Sequence, residues 1–528
     1  MKPAVLIRDI RLPLGHDPED LISAAAKQAG MTPDAVRRAG WRVVRRSIDA
    51  RRRPSIAIQY HVEIGPTESE IFGLRNFFEH RPADNRPVVV GSGPAGLFSG
   101  LALALAGQAP LIIEQGLPVE RRQADVAHFW SSGVLNPSSN VQFGEGGAGT
   151  FSDGKLTTRI KDPRCRAVLE ELVMAGAPPD ILVLSRPHLG TDNLRRIVRQ
   201  LREKITRLGG EFIFGCRLID LRQVHGRIVG ITVATRKDRD QVFYDDIPAE
   251  RVILAIGHSA RQTFQLLADK AILLAPKPFS LGVRIEHLQT QIDHGQYGSS
   301  AGHPQLPPAD YQLSCHLPSG RSVYTFCMCP GGQVVAAASE AGGVVTNGMS
   351  HYARNQTNAN SALLVGVQPG DFPYPGPLGG IEWQRRLEQQ AFDLAGGGYR
   401  APVQYVDEFL NDPETRRSLT GSEDRIVPSY RPGVKWCDLD ACLPMIVAQA
   451  LREALPILGR RLIGFDHGKA VLTGIETRSS SPVRVIRNAR LQASLTGLFP
   501  CGEGAGYAGG IMSAAIDGLR CARAALSM

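Results

Sequence analysis

Six residues, Gly91-Ser92-Gly93-Pro94-Ala95-Gly96, stand between an apolar run and an apolar helix, a spacing suited to binding a diphosphate. Val88 to Val90 read as a buried parallel strand, three β-branched residues in a row. Gly91 allows the tight turn, Gly93 lets backbone approach a pyrophosphate, and Gly96 lets helix and strand pack closely. Pro94 suits the first helical turn, and Ala95 follows it there. The helix N-terminus then offers N–H groups and a positive dipole end to the phosphates. Leu111 to Ile113 form the next strand, and Glu114 ends it near the ~20-residue spacing at which an acid reaches a ribose. Gln115 and Arg122, just beyond this acid, are expected at the same site. The elements that must position these groups are a parallel sheet and a helix, and the ligand is a dinucleotide.

Three further glycine-bearing segments exceed what NAD binding alone needs. Phe143 to Lys155 is a loop containing Gly146, Gly147, Ala148 and Gly149. Arg251 to Ser259 is an apolar strand ending in Ala255-Ile256-Gly257-His258. Leu498 to Gly506 passes through Gly502 and Glu503, and Gly509-Gly510-Ile511-Met512 then opens the last helix. In this order the segments resemble the glutathione-reductase-type FAD fold. The resemblance implies that Glu503 and its neighbours hold the ribityl-diphosphate region. It also implies that the last helix points its N-terminus at the flavin ring. A helix N-terminus there would stabilise the negative charge of reduced flavin.

The stretches Gly144 to Leu156, Arg46 to Arg51, Thr325 to Gly332, Thr346 to Ser350 and Thr473 to Arg484 are more specific. Together they resemble a family of bacterial FAD-dependent dehydrogenases of unassigned substrate, over essentially the whole chain. The fold implied is α/β: a discontinuous Rossmann-like FAD domain, a mixed β-rich cap domain and a small α+β N-terminal domain. The activity implied is hydride transfer between flavin and an organic substrate. An NAD(P)H-driven monooxygenase is the alternative among enzymes, with NAD(P)H as electron donor.

Candidate catalytic groups lie outside the glycine turns. In Cys327-Met328-Cys329 the thiols stand two apart on a β-like run, where i and i+2 share a face and do not easily close a ring. They read as buried small thiols; one thiol facing the cofactor, or a working dithiol, are the alternatives. Arg284 suits bidentate anion binding, against a structural salt bridge. His287 is a candidate proton donor. His258 sits beside the expected cofactor, where a loop hydrogen bond is the plainer reading. Arg478, in the polar cluster before the last flavin segment, is the candidate anion clamp. Asn347, Ser350 and Arg354 are candidate polar lining. No paired metal-knuckle spacing occurs, and no Gly-x-Ser-x-Gly elbow sits on a strand-to-helix turn, so metal and hydrolase chemistry have no support.

The 528 residues allow two or three domains, and 43% hydrophobic content supports a large core. The expected division is 1–80 as a small N-terminal α+β, ferredoxin-like domain. The FAD domain takes 87–270 and 461–528, and 271–460 forms the substrate or cap domain. Charges in the first residues break any signal-peptide core, and the longest apolar run, Leu97 to Ala106, is about half the ~20 residues of a membrane span. Nine scattered cysteines suit a reducing compartment. A cytoplasmic protein with a small-molecule substrate is expected. The net charge of +9 and the arginines Arg37, Arg38, Arg45, Arg46 and Arg51 to Arg53 leave another class open. That class is an RNA-binding or tRNA-modifying flavoprotein, or a non-catalytic flavin-bound binding protein. One exposed arginine stripe would favour it.

Overall fold

The computed structural model describes residues 4–51, 55–65, 73–81, 85–236, 241–411 and 426–528. Its centre is a five-stranded parallel sheet in the order Leu498–Pro500, Val252–Leu254, Val88–Val90, Leu111–Glu114, Glu211–Phe214. The first four strands are buried along their whole length, which is why they read as unbroken apolar runs rather than alternations. Helix Pro94–Leu105, apolar all round, lies between this sheet and helices Gly190–Arg207 and Ile511–Leu526. Gly518 of the last helix sits directly on the backbone of Ala95. Strands Cys216–Val224, Arg227–Arg236 and Val242–Pro248 form the antiparallel insertion before the strand at 252.

The second sheet has seven strands, ordered Ser314–His316, Ser322–Cys329, Asn358–Val367, Phe279–Leu288, Val471–Glu476, Ala401–Tyr405, Val434–Trp436. Phe279–Leu288 and Asn358–Val367 pair antiparallel over ten residues and are buried on both faces. Helix Met445–Arg461 packs against them with Leu451, Leu455 and Leu458 in the same core. Polar residues on these strands must therefore find partners inside the protein.

One expected boundary moves. Val471–Glu476 was assigned with 461–528 to the FAD domain, but it pairs with Phe279–Leu288 and Ala401–Tyr405 inside the seven-stranded sheet. The chain rejoins the parallel sheet only at Leu498.

The N-terminal module has three antiparallel strands, ordered Val5–Pro13, Ala57–Ile64, Trp41–Asp49, with helices Pro18–Ala29 and Pro33–Ala39 between the first and second in sequence. Among the described residues these are the three strands and two helices that the sequence suggests, one strand fewer than a ferredoxin-like sandwich. The edge strand docks on the FAD domain: Arg46 N–H donates to the Val183 carbonyl at 2.8 Å, and Ser185 N–H donates to the Arg46 carbonyl at 2.9 Å. Ile56 reaches the core of the seven-stranded sheet.

Candidate active site

A cavity of about 760 Å³ opens between the two sheets. One wall is the nucleotide turn. Gly91, with φ +98°, brings its Cα so close to the Ala255 carbonyl that a Cβ would lie 2.4 Å from it. A Cβ on Gly96 would lie 1.8 Å from the Gly91 carbonyl. Gly93 differs: its φ is −70°, and a Cβ there would meet nothing nearer than Gly147 Cα at 3.7 Å. Gly91 and Gly96 are thus glycine because of the protein's own packing, whereas Gly93 faces open space.

Glu114 is buried and organises the turn. Its Oε2 accepts from Ser92 N–H and Ser92 Oγ, each at 2.9 Å, and its Oε1 accepts from Gly116 N–H at 2.9 Å and Gly144 N–H at 3.0 Å. The Gly144 bond draws the 143–149 loop over the turn, and Gly146 N–H donates to the Ser92 carbonyl at 2.9 Å. Gln115, Gly147, Ala148 and Gly149 line the cavity beside Pro94 and Ala95. Ala255, Gly257, Gly502, Glu503, Gly509, Gly510 and Ile511 close the same side, where the N-terminus of Ile511–Leu526 meets the cavity.

Four expected cofactor contacts stand behind this wall. Gly96, Gly146 and Met512 serve close packing and do not line the cavity. Arg122 is fully buried, and its guanidinium donates to the carbonyls of Asn140, Val141, Gly144 and Glu145. It fastens the 140–145 loop and has no group directed at a ligand. Desolvation holds it near 10, below the usual arginine value, despite Glu114 and Glu145 nearby.

The opposite wall comes from the seven-stranded sheet and its loops: Tyr311, Thr325, Phe326, Cys327, Asn347, Arg354, Glu476 and Arg478. Lys155 reaches across from the glycine-rich loop and donates to the Met328 carbonyl. Asp153, fully buried, binds Arg354 through both oxygens, at 3.0 and 2.6 Å, and also accepts from Ser350 Oγ. Burial pushes the Glu476 carboxyl up to about 7, only partly offset by Arg284, whose Nη1 is 3.4 Å away. A carboxyl in that range holds or releases a proton near neutral pH.

The expected catalytic residues divide three ways. His258 lines the cavity; its Nδ1 lies 3.3 Å from Glu503 Oε1, while its buried Nε2 has no partner within the protein. Cys327 also lines the cavity, with Cys329 behind it. Arg478 lines it too, but its Nε and Nη2 are held by Glu388, at 3.0 and 2.7 Å, and its Nη1 by Ser339 Oγ at 2.5 Å, so it is not a free anion clamp.

Arg284 takes the structural salt bridge that was its other reading, to Glu476 on the neighbouring strand at 3.4 Å, whereas His287 leaves the proton-donor role expected of it. Arg284 is fully buried behind the wall, donating to Asn360 Oδ1 at 2.7 Å and the Cys327 carbonyl at 3.0 Å. His287 points into the core, with Nε2 2.7 Å from the Phe465 carbonyl. Burial depresses its imidazole to about 4, so it is neutral and away from the cavity.

Lys155 and Glu388 were missed as functional residues. Lys155 ends the motif Ser152-Asp153-Gly154-Lys155, and that position was its only signal. Glu388 lies inside helix Gly379–Leu394 with no motif around it. It binds Arg261 and Arg478 together, and the two cations hold it near 2 against the upward push of burial.

The cavity fits a flavin dinucleotide. Cβ atoms on Gly257, Gly509 and Gly510 would meet nothing within 4 Å, and one on Gly93 nothing nearer than 3.7 Å. His258 Nε2 is a buried polar atom left for a ligand. Residues 278–479 match the family described as FAD-dependent protein, C-terminal domain-like, and residues 5–65 match a domain of unknown function. The parallel sheet and the turn with its buried acid form a Rossmann-like dinucleotide-binding domain, joined to a region that matches a FAD-dependent family.

An uncharacterized protein of Clostridium beijerinckii is 44% identical over 98% of both chains, and the present chain belongs to its family. Among solved structures, a geranylgeranyl bacteriochlorophyll reductase-like protein of Thermoplasma acidophilum aligns over 84% of this chain and 78% of its own at 11% identity, TM-score 0.35. A flavoprotein/dehydrogenase of Cytophaga hutchinsonii aligns over 84% and 77%, also at 11% identity and TM-score 0.35. Neither likeness is strong enough to add to the strand order itself. No helix among the described residues is long and apolar enough to cross a membrane.

Proposed function

We propose that the protein is a FAD-dependent oxidoreductase that exchanges a hydride with an organic substrate held under the seven-stranded sheet. The observation that carries this reading is the shared cavity: the nucleotide turn forms one wall, and Cys327, Asn347, Arg354 and Glu476 form the other. FAD, when bound, supplies the two-electron chemistry. Gly93, Glu114, Gly147, Glu503 and the N-terminus of Ile511–Leu526 would hold it. Lys155, Asn347 and Thr325 orient the substrate, and Glu476 holds a proton at its carboxyl for delivery to it. The seven-stranded sheet excludes water from the reacting face.

The test is anaerobic reduction of the flavin-loaded protein, followed by its absorption band. NADH, NADPH and a panel of small alcohols, amines and acids would be added in turn. Bleaching by an organic compound supports direct substrate oxidation. Bleaching by a nicotinamide makes that the donor and the organic compound the acceptor. A flavin band unmoved by every compound, but bleached by dithionite, would count against the hydride reading.

A further inference from the structure

The bulge at Cys327 changes what two thiols at i and i+2 can do. The register of Ser322–Cys329 against Asn358–Val367 shifts between Phe326 and Cys329, so the alternation that would set the thiols side by side on a regular strand is broken. Cys327 takes φ +44°, a conformation that costs a non-glycine residue on the order of 1 kcal/mol or more. Its carbonyl is held there by two donors, Arg284 Nη2 at 3.0 Å and the Cys329 thiol at 3.3 Å. Cys329 is therefore folded back onto Cys327. Arg284 Nη2 lies 3.9 Å from the Cys329 sulfur. Cys327 is partly accessible in the cavity wall, while Cys329 is buried behind it.

We propose that Cys327 and Cys329 form a redox-active pair acting on small-molecule disulfides, with Cys327 the attacking sulfur and Cys329 the resolving one. The environment matches this division. Hydrogen bonding from Cys329 lowers the Cys327 thiol below its ordinary value, helped by Arg284 and Lys155 and opposed by burial and Asp153. Cys329 is raised by its partner and by burial, so it keeps its proton. Glu476 also faces Cys327 and is in its protonated form below about 7.

The chemistry balances without a further oxidant. The Cys327 thiolate attacks one sulfur of the substrate disulfide, forming a mixed disulfide and releasing one thiolate. Cys329 then gives up its proton and attacks the Cys327 sulfur. An intramolecular disulfide forms, and the second thiol leaves with that proton. The substrate is reduced by two electrons and the pair is oxidised by two. This inference goes beyond hydride transfer and does not rest on it.

The flavin-loaded protein would be treated near neutral pH with 2-hydroxyethyl disulfide, a small uncharged probe, and mapped by mass spectrometry without reduction. The expected product is a Cys327–Cys329 disulfide, with both 2-mercaptoethanol molecules released. Its formation should outpace modification of any other cysteine by about tenfold or more, since only thiolates attack. Cys329→Ser should stop at the mixed disulfide on Cys327, and Cys327→Ser should leave Cys329 unmodified. The wild-type map does not depend on either variant folding. Wild-type protein that retains its flavin band while both thiols stay unmodified would overturn the proposal. So would a mixed disulfide on Cys327 that Cys329 never resolves.

Discussion

At Gly93 and Gly96 the same side-chain addition has opposite meanings. A Cβ at Gly96 collides with the Gly91 carbonyl at 1.8 Å, so Gly96→Ala is expected to cost about 3 kcal/mol or more of stability. Gly93 has room within the protein and ordinary φ, so Gly93→Val should fold with a melting temperature near wild type. It should nevertheless lose most of its flavin, because its side chain occupies the space left for the diphosphate. Absorbance ratio and thermal melting, measured on both variants, separate the two effects. The spacing of these glycines was legible in sequence, and so was Glu114. The full set of its partners was not, because Gly144 comes from a distant loop. His287 misled for a related reason. Residue type suggests chemistry, but only packing decides whether a side chain faces a cavity or a core.

Helix Ile511–Leu526 links cofactor site and core. Its N-terminus borders the cavity, and Gly518 rests on the backbone of Ala95, where a Cβ would come within 2.2 Å of the carbonyl. Gly518→Ala should therefore push this helix away from Pro94–Leu105. The expected result is a loss of about 1–3 kcal/mol in denaturant unfolding together with weaker flavin retention. The strands of the parallel sheet could be read from sequence because each is a short apolar run followed by glycine. Val471–Glu476 mixes Val471, Leu472 and Ile475 with Thr473, Gly474 and Glu476, and nothing in that pattern says which domain the strand joins. The bulge at Cys327 was invisible for another reason: register is set by Asn358–Val367, a partner some thirty residues on in the chain.

Across the whole molecule, buried polar ties join the two sheets. Glu388, from the helix beside the seven-stranded sheet, holds Arg261 from the helix after the strand at 252 and Arg478 from the returning segment. Asp153 from the glycine-rich loop holds Arg354 and Ser350. Glu388→Gln leaves two buried cations short of an anion and should cost about 3–5 kcal/mol, read as a lowered unfolding midpoint. Its pH dependence has a definite sign. The Glu388 carboxyl is held near 2, so its contribution is present above the ordinary carboxylate range and is lost as pH falls towards 2. Glu476 and Glu145 behave oppositely. Burial raises both to about 7, so their contributions are full in acid below the ordinary range and are lost as pH rises through 7. Glu476→Gln should gain stability relative to wild type between about pH 5 and pH 8.

The N-terminal module was legible as α+β from its strand and helix signals, but its docking was not, because edge pairing through Arg46 leaves no pattern in sequence. Of the arginines in this module, Arg38 and Arg45 are exposed. Arg37 pairs with Glu19 and Asp34 and Arg51 with Asp49, all within the module, and Arg52 and Arg53 lie outside the described residues. The most direct measurement is to strip the purified protein of bound nucleotide and titrate it with FAD, FMN and NAD, following flavin fluorescence and calorimetric heat. Tight binding of one FAD per chain, with FMN and NAD much weaker, is the expected result. A folded protein that binds no FAD, or prefers NAD, would contradict the assignment of this cavity to a flavin dinucleotide.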